Sequence, residues 1–407
     1  MPQLLRMITA APPHGETIAT HRALTPAHAR LAARDDSIIR SQIAVAGIAA
    51  PTGEEQERGQ WIARRFADCA LTDVHTDAAG NVIGRRPGTD DLPPVVICAH
   101  LDTVFPRGTD LSVRREGDRL VGPGINDNGR GLAVMLALAG EIDGGRLRSH
   151  HPIEFVATTG EEGNGDLRGA KHYFADRGRD ARAMIALDGA GDERIIHRAL
   201  GSRRFRATYS GPGGHSWAAF GVANAVHAAA SAAARLASLS LPASPRTTLS
   251  VGRIGGGLSV NSIPDEAWLE IDLRSTSASQ LDHFERTIRR IAQAAADEEN
   301  AKRAIGTRAL SVAVRSIGAR PCGETPAEHD LVRSAVEATR LVGRQPDLAL
   351  ASTDANVPIS CGIPAIALGA GGRGGDAHTH GEWFDNVSGS VGVARALTIV
   401  MAAARVA

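Results

Sequence analysis

A chain of 407 residues, 43% hydrophobic and 22% charged, is too apolar to stay disordered and long enough for two domains with separate cores. Lys plus Arg number 45 and Asp plus Glu number 45, so no net field draws the protein to nucleic acid or to an anionic membrane, and the expected partner is a small molecule. Cys69, Cys98, Cys322 and Cys361 form no CxxC pair, which argues against a disulfide framework or a thiolate zinc site and suits a cytoplasmic protein.

Residues 1–24 contain Pro2, Pro12, Pro13 and Gly15 without apolar periodicity and are expected to form a flexible arm. The apolar run at 4–11 is broken by Arg6 and is short for a signal peptide, and no stretch of roughly eighteen apolar residues occurs. From Thr25-Pro26 the pattern turns helical. An amphipathic helix near 55–66, strands near 72–75 and 82–85, and a wholly apolar strand into His100 come next. A helix at 129–141 then follows Asn126-Asp127-Asn128 directly, and strands at 153–159 and 184–187 continue the alternation. This order predicts an α/β domain whose mainly parallel sheet carries helices on both faces.

Near Leu200 the texture changes. A strand at 203–210 leads into the loop Gly211-Pro212-Gly213-Gly214, followed by an alanine-rich helix at 224–239 and strands at 247–254 and 268–274. A helix at 279–299 and a strand at 310–317 complete the series. Strand, helix, strand, strand, helix, strand predicts a ferredoxin-like α+β lid inserted at 200–320, with residues 25–199 and 321–407 forming the metal-binding domain.

Several apolar strands stop on side chains that bind metals. The first ends at His100, the next at Glu161-Glu162, another at Asp188, and the strand at 365–368 leads through a glycine loop to His378. In open α/β sheets ligands collect outside the carboxyl ends of the strands, so these residues are expected to converge. His100, Asp127, one of Glu161 and Glu162, Asp188 and His378 form a nitrogen and oxygen donor set that suits zinc, or manganese and cobalt, better than calcium. They include one carboxylate more than a single tetrahedral ion wants. A shared carboxylate lets the set hold two ions about 3.5 to 4 Å apart, and Asp127 is the natural bridge.

Asp102, two residues past His100, returns to the same face of an extended chain and can accept the imidazole N–H. Glu161 and Glu162 are adjacent at a strand end and point in different directions, so one is expected to bind metal and the other to move protons. A water acidified by the metal to a pKa of about 7 needs such a carboxylate to carry its proton to a leaving amine.

At this point the chain resembles the co-catalytic dinuclear zinc amidohydrolases that include succinyl-diaminopimelate desuccinylase, acetylornithine deacetylase, aminoacylase, carnosinase and bacterial tripeptidases. The markers are His100-Leu-Asp102-Thr-Val, Gly124-Ile-Asn-Asp127-Asn, Thr159-Gly-Glu161-Glu162-Gly, Leu187-Asp188-Gly, Gly213-Gly-His215-Ser and Ala377-His378-Thr-His-Gly-Glu382-Trp, all in the family's order. The resemblance implies that His100 and Asp188 hold one Zn2+, that Glu162 and His378 hold the other, and that Asp127 bridges, often before a cis peptide. Glu161 would be the general base and Asp102 would orient His100. His215 would donate to the substrate carbonyl oxygen, commonly across a homodimer interface made by the lid. Asn261 and Arg274 match lid positions that bind the polar end of the substrate, a free carboxylate in the case of Arg274.

Asn126-Asp127-Asn128, Ser352-Thr-Asp354-Ala-Asn356 and Glu382-Trp-Phe resemble the peptidase branch. The expected activity is hydrolysis of an amide bond in a small peptide, with an N-acyl amino acid deacylase and a non-catalytic binding protein on the same scaffold as rivals. Gly369-Ala-Gly371-Gly-Arg-Gly374 fits a nucleotide-binding pattern but has no helix after it, and is expected to be a loop lining the cleft. Gly-x-Ser-x-Gly, HExxH and the Walker lysine motif are absent.

Overall fold

The computed structural model describes residues 14–143 and 147–407. They fall into two compact units, one running up to Ala199 and resuming at Glu324–Ala407, the other spanning Leu200–Gly323. Among the described residues no helix is long and apolar enough to cross a membrane.

The first unit is built on a mixed sheet. Its central strands, in the order Ile153–Thr158, Val95–His100, Ala183–Leu187 and Ala365–Leu368, all run parallel. Antiparallel neighbours flank them: Val82–Arg86 on one side and Arg194–Ala199 on the other. Every residue of Val95–His100 and of Ile153–Thr158 is buried, as expected of strands covered on both faces.

Successive side chains divide between two apolar layers. Val95, Ile97 and Ala99 join the layer containing Leu132, Leu136, Leu397 and Val400, while Val96 and Cys98 join Tyr173, Phe174, Met184 and Ile359. This alternation is the period of two of a strand, and it fixes the register, because a slip of one residue would exchange the two faces. The helix Gly129–Glu141 is apolar around most of its circumference and is buried almost throughout. Such a helix belongs inside the structure, and its start is therefore held firmly.

The N-terminal residues depart from expectation. Residues 1–13 of the expected arm lie outside the described residues, but His14–Ala23 is a helix, with Thr17 and Thr20 buried and Leu24 1% exposed. Thr17 Oγ1 donates to Ser334 Oγ at 3.1 Å, and His21 Nδ1 lies 3.2 Å from Thr398 Oγ1. The helix docks through hydroxyls and imidazole rather than a leucine stripe, so it carries no apolar periodicity to detect.

The glycine-rich segment after Ala365–Leu368 is also more regular than expected. Arg373–Gly375 pairs antiparallel with Trp383–Asp385, which in turn pairs with Arg119–Val121.

In the second unit four antiparallel strands stand in the order Thr247–Gly256, Glu266–Ser275, Gly201–Ser210, Ser311–Arg320. Along Glu266–Ser275 every second residue is buried, which leaves one face for the helices Ala225–Ala237 and Ala278–Ala301. Phe205, Leu269, Ile271 and Leu273 form the core with Ala228, Ala232, Phe284 and Ile288. Strands and helices alternate in the ferredoxin-like order.

Candidate metal centre

Three strand ends and two loops of the first unit bring the predicted ligands together. His100 closes Val95–His100 with 2% exposure. Its Nδ1 lies 3.0 Å from the main-chain oxygen of Asp102. A carbonyl oxygen can only accept, so Nδ1 carries the hydrogen and Nε2 keeps a lone pair for a metal. Nε2 lies 3.0 Å from Asp127 Oδ1 and 3.8 Å from Asp188 Oδ1. On the other side of Asp127, His378 Nε2 lies 3.2 Å from Oδ2 and 2.8 Å from Glu162 Oε1. Asp127 thus turns one oxygen to His100 and the other to His378. His380, two residues beyond His378 and exposed as it is, has its ring 5.7 Å from that of Phe105.

The electrostatics follow from this crowding. Burial raises the Asp127 carboxyl, but the imidazoles of His100 and His378 outweigh it and hold the group well below its ordinary range. Glu162 moves in the opposite direction, raised by burial and by the Asp127 charge. Asp127 stands between two imidazoles, whereas Glu162 meets His378 alone at close range and faces the Asp127 carboxylate. Asp127, followed by Glu162, lifts His378 to about 9. Burial opposes a charge on His100, yet Asp102, Asp127 and Asp188 together raise it well above its ordinary value.

Asp127 Oδ1 is buried and makes no hydrogen bond to any described residue. His100, Asp127 and Glu162 each offer a donor atom within 4.8 Å of one another. With His100 neutral its Nε2 lone pair faces that oxygen at 3.0 Å, an arrangement that is costly unless a proton or a metal cation lies between them. The donor set therefore fits divalent metal ions.

Buried polar side chains hold these ligands. The Asp102 carboxylate accepts the main-chain N–H of Glu161 on Oδ1 and of Glu162 on Oδ2, both at 2.9 Å, and the Thr52 hydroxyl at 2.8 Å. Its Oδ1 stands 3.6 Å from His100 Nδ1, farther than its own main-chain oxygen. Asp102 thus orients the imidazole through its carbonyl, not through its carboxylate as the sequence suggested, because the carboxylate is engaged by the Glu161-Glu162 turn. Glu161 is itself buried.

The peptide between Asp127 and Asn128 is cis. Asn128 caps the helix Gly129–Glu141, accepting the N–H of Gly131 at 3.1 Å. A β-carbon on Gly131 would come within 2.2 Å of Asn128 Oδ1 and 2.4 Å of the Leu187 oxygen, so only glycine fits.

Glu382 and Asp354, legible in the chain only as parts of motifs, are two further buried acids. Glu382, with 0% exposure, is pushed up to about 7 by burial, against the pull of the N–H groups of Asp127, Gly124 and Asn126. Asp354 accepts the Thr158 hydroxyl at 2.5 Å and is pushed up to about 6 by burial. Their signal was an acid inside a motif with no ligand role assigned to it.

The second unit gathers two of its three predicted residues. His215 and Asn261 line one groove of about 420 Å³ together with Leu258, Ser259 and Ser262. His215 Nδ1 accepts the N–H of Trp217 at 3.2 Å and of Ala218 at 3.4 Å, so in the neutral ring Nε2 carries the hydrogen. Arg274 stands apart from the groove. It is eight residues along an extended strand from Glu266, about 26 Å at 3.3 Å per residue. Its Nε donates at 2.7 Å to Oδ2 of Asp272, whose Oδ1 accepts from Arg204 at 3.1 Å.

Two family models match the chain: Peptidase family M28 over residues 81–234 and Peptidase dimerisation domain over residues 199–300. An N-carbamoyl-L-amino acid amidohydrolase of Geobacillus stearothermophilus is 32% identical over 113 residues, 28% of this chain and 24% of that protein. Carboxypeptidase G2 of a Pseudomonas species is 25% identical over 195 residues, 45% of this chain and 46% of that one. The matches span between 19% and 56% of the curated relatives.

Solved structures match over nearly their whole length. A tripeptidase of Staphylococcus aureus has a TM-score of 0.73 at 22% identity, covering 90% of this chain and 98% of its own. Aminopeptidase PepT of Bacillus cereus has a TM-score of 0.72 at 24% identity over the same shares. At such identities the likeness is one of fold. The two peptidase models overlap at residues 199–234 and lie over the motifs from His100 to His215, and solved peptidases share the chain's fold.

Proposed function

We propose that the protein is a metal-dependent hydrolase that cleaves an amide bond in a small peptide. One observation carries this reading: the Asp127 carboxylate faces His100 with one oxygen and His378 with the other. His100 and Asp188 would hold one divalent cation, Glu162 and His378 a second, with Asp127 common to both. Zinc suits this donor set best, with manganese or cobalt as substitutes. Bound there, the cations supply Lewis acidity to a carbonyl group and lower the pKa of a water to about 7.

The protein's own residues divide the remaining work. Glu161, anchored through its N–H on Asp102, takes the proton of the attacking water and returns it to the amine as the C–N bond breaks. His215 offers Nε2–H to the carbonyl oxygen as negative charge develops there. Asn261, in the same groove, hydrogen-bonds the polar end of the substrate. The match of residues 199–300 to a peptidase dimerisation domain supports a homodimer formed through the second unit. The four cysteines are free thiols, which suits a cytoplasmic setting.

The match to an N-carbamoyl-L-amino acid amidohydrolase favours a second reading, in which the same site hydrolyses an N-carbamoyl or N-acyl amino acid. A panel of dipeptides, tripeptides, N-carbamoyl and N-acyl amino acids, offered to the zinc-loaded protein, tests both. Cleavage of peptides supports the first reading and cleavage of the modified amino acids alone supports the second. No turnover across the panel, with both cations bound, favours a binding protein.

A further inference from the structure

The turn that carries Asp127 is held from two sides, each by a side chain that links it to a different ligand segment. On one side stands Glu382, four residues beyond His378. Its main chain is fixed by its own N–H to the Thr379 oxygen at 3.1 Å and by the Gly122 N–H to its oxygen at 2.8 Å. Its buried side chain accepts the N–H of Asn126 at 2.8 Å and of Asp127 at 2.7 Å on Oε1, and that of Gly124 at 3.0 Å on Oε2. Three main-chain donors of one turn thus converge on a carboxylate borne by the segment that carries His378. Glutamine could offer only one of the two oxygens and would turn an NH2 group toward a donor.

On the other side stands Asn128. Its Oδ1 accepts the Gly189 N–H at 3.1 Å and its Nδ2 donates to the Leu187 oxygen at 2.8 Å. Those contacts bracket Asp188. Neither side chain is assigned to a cation, and each ties Asp127 to a different ligand segment.

We infer that Glu382 is the positioning residue of the Glu162 and His378 half of the centre and that Asn128 is the positioning residue of the His100 and Asp188 half, so that losing one of them releases one cation selectively. The inference rests on the two-cation reading above. Partners that orient metal ligands commonly change affinity by about 10- to 100-fold when removed, which sets the scale of the effect.

The test is Co2+ titration of the metal-free full chain, read by visible absorption and by chelator competition, in two backgrounds. H100A leaves the Glu162 and His378 half, and H378A leaves the His100 and Asp188 half. Adding E382Q should weaken Co2+ about 10- to 100-fold in H100A and change it by less than about threefold in H378A. N128S should do the reverse, and it keeps the test decisive if urea titration shows E382Q unfolded. Equal weakening in both backgrounds, or none in either, overturns the inference. A wild-type protein that binds no Co2+ contradicts the two-cation reading itself, whereas two bound equivalents with unselective variants contradict only the positioning roles.

Discussion

Asp102 receives the main-chain N–H of Glu162 on its carboxylate at 2.9 Å while its own carbonyl oxygen takes the Nδ1–H of His100 at 3.0 Å. One buried residue therefore ties the end of Val95–His100 to Glu162, which lies sixty residues beyond Asp102 in the chain. Asp102→Asn preserves the carbonyl contact but turns an NH2 group toward a main-chain donor. It is expected to lower kcat by about 10- to 100-fold with His100 still able to bind metal. Steady-state kinetics at saturating zinc, with metal analysis of the same sample, check this, and wild-type turnover would remove the role.

Glu161→Gln is nearly isosteric and leaves every proposed ligand in place. It should retain both metal equivalents and lose about 10²- to 10⁴-fold in kcat, the usual contribution of a general base. Elemental analysis paired with hydrolysis assays decides the matter. Unchanged kcat refutes the assignment, and loss of metal would show Glu161 to be a ligand instead.

How far the site could be read from the chain depends on what each residue does. Four of the five expected ligands were legible because they follow apolar strands or precede a helix, where a buried charged side chain has few structural uses, and His378 was legible only through its motif in a loop. Asp102 was legible as a partner of His100, but not which of its atoms does the work, since the choice depends on the Glu161-Glu162 turn folding over it. Arg274 pairs with Asp272, two positions away on the same face of the strand, a neighbour that its reading as a substrate ligand left out of account. The helix His14–Ala23 was invisible because it docks through threonine and histidine.

His215→Ala should leave metal content unchanged and reduce kcat by about 10²- to 10³-fold, the range for losing one oxyanion donor. Because Nδ1 already accepts two main-chain N–H groups, only Nε2–H is free to donate. A variant that lost metal, or that kept full turnover, would contradict this role.

Acid should loosen the docking of the N-terminal helices. Burial, then the nearby His21, lowers His28 from 6.5 to about 4, and its Nε2 lies 3.2 Å from Thr398 Oγ1. The folded state therefore binds fewer protons at His28 than the unfolded state between those values. Stability from this group is present above pH 6.5, falls as pH drops toward about 4, and changes no further below. Urea midpoints measured from pH 7 to pH 4 should fall less steeply in His28→Asn than in the wild type, and parallel curves would contradict the prediction.

Phe155 is fully buried, its ring 6.3 Å from that of Phe66. Phe155→Ala opens a cavity in the layer beneath the central strands and should cost about 3–5 kcal/mol of stability. Chemical denaturation with an unchanged m-value checks the magnitude, and a loss below about 1 kcal/mol would place the side chain outside the tightly packed core.

The most direct measurement is anomalous diffraction from crystals of the zinc-loaded protein. The account predicts two peaks flanking Asp127, one in contact with His100 and Asp188 and the other with Glu162 and His378. Ordered crystals with a single peak, or with peaks that touch other side chains and leave Asp127 without a metal, would contradict it.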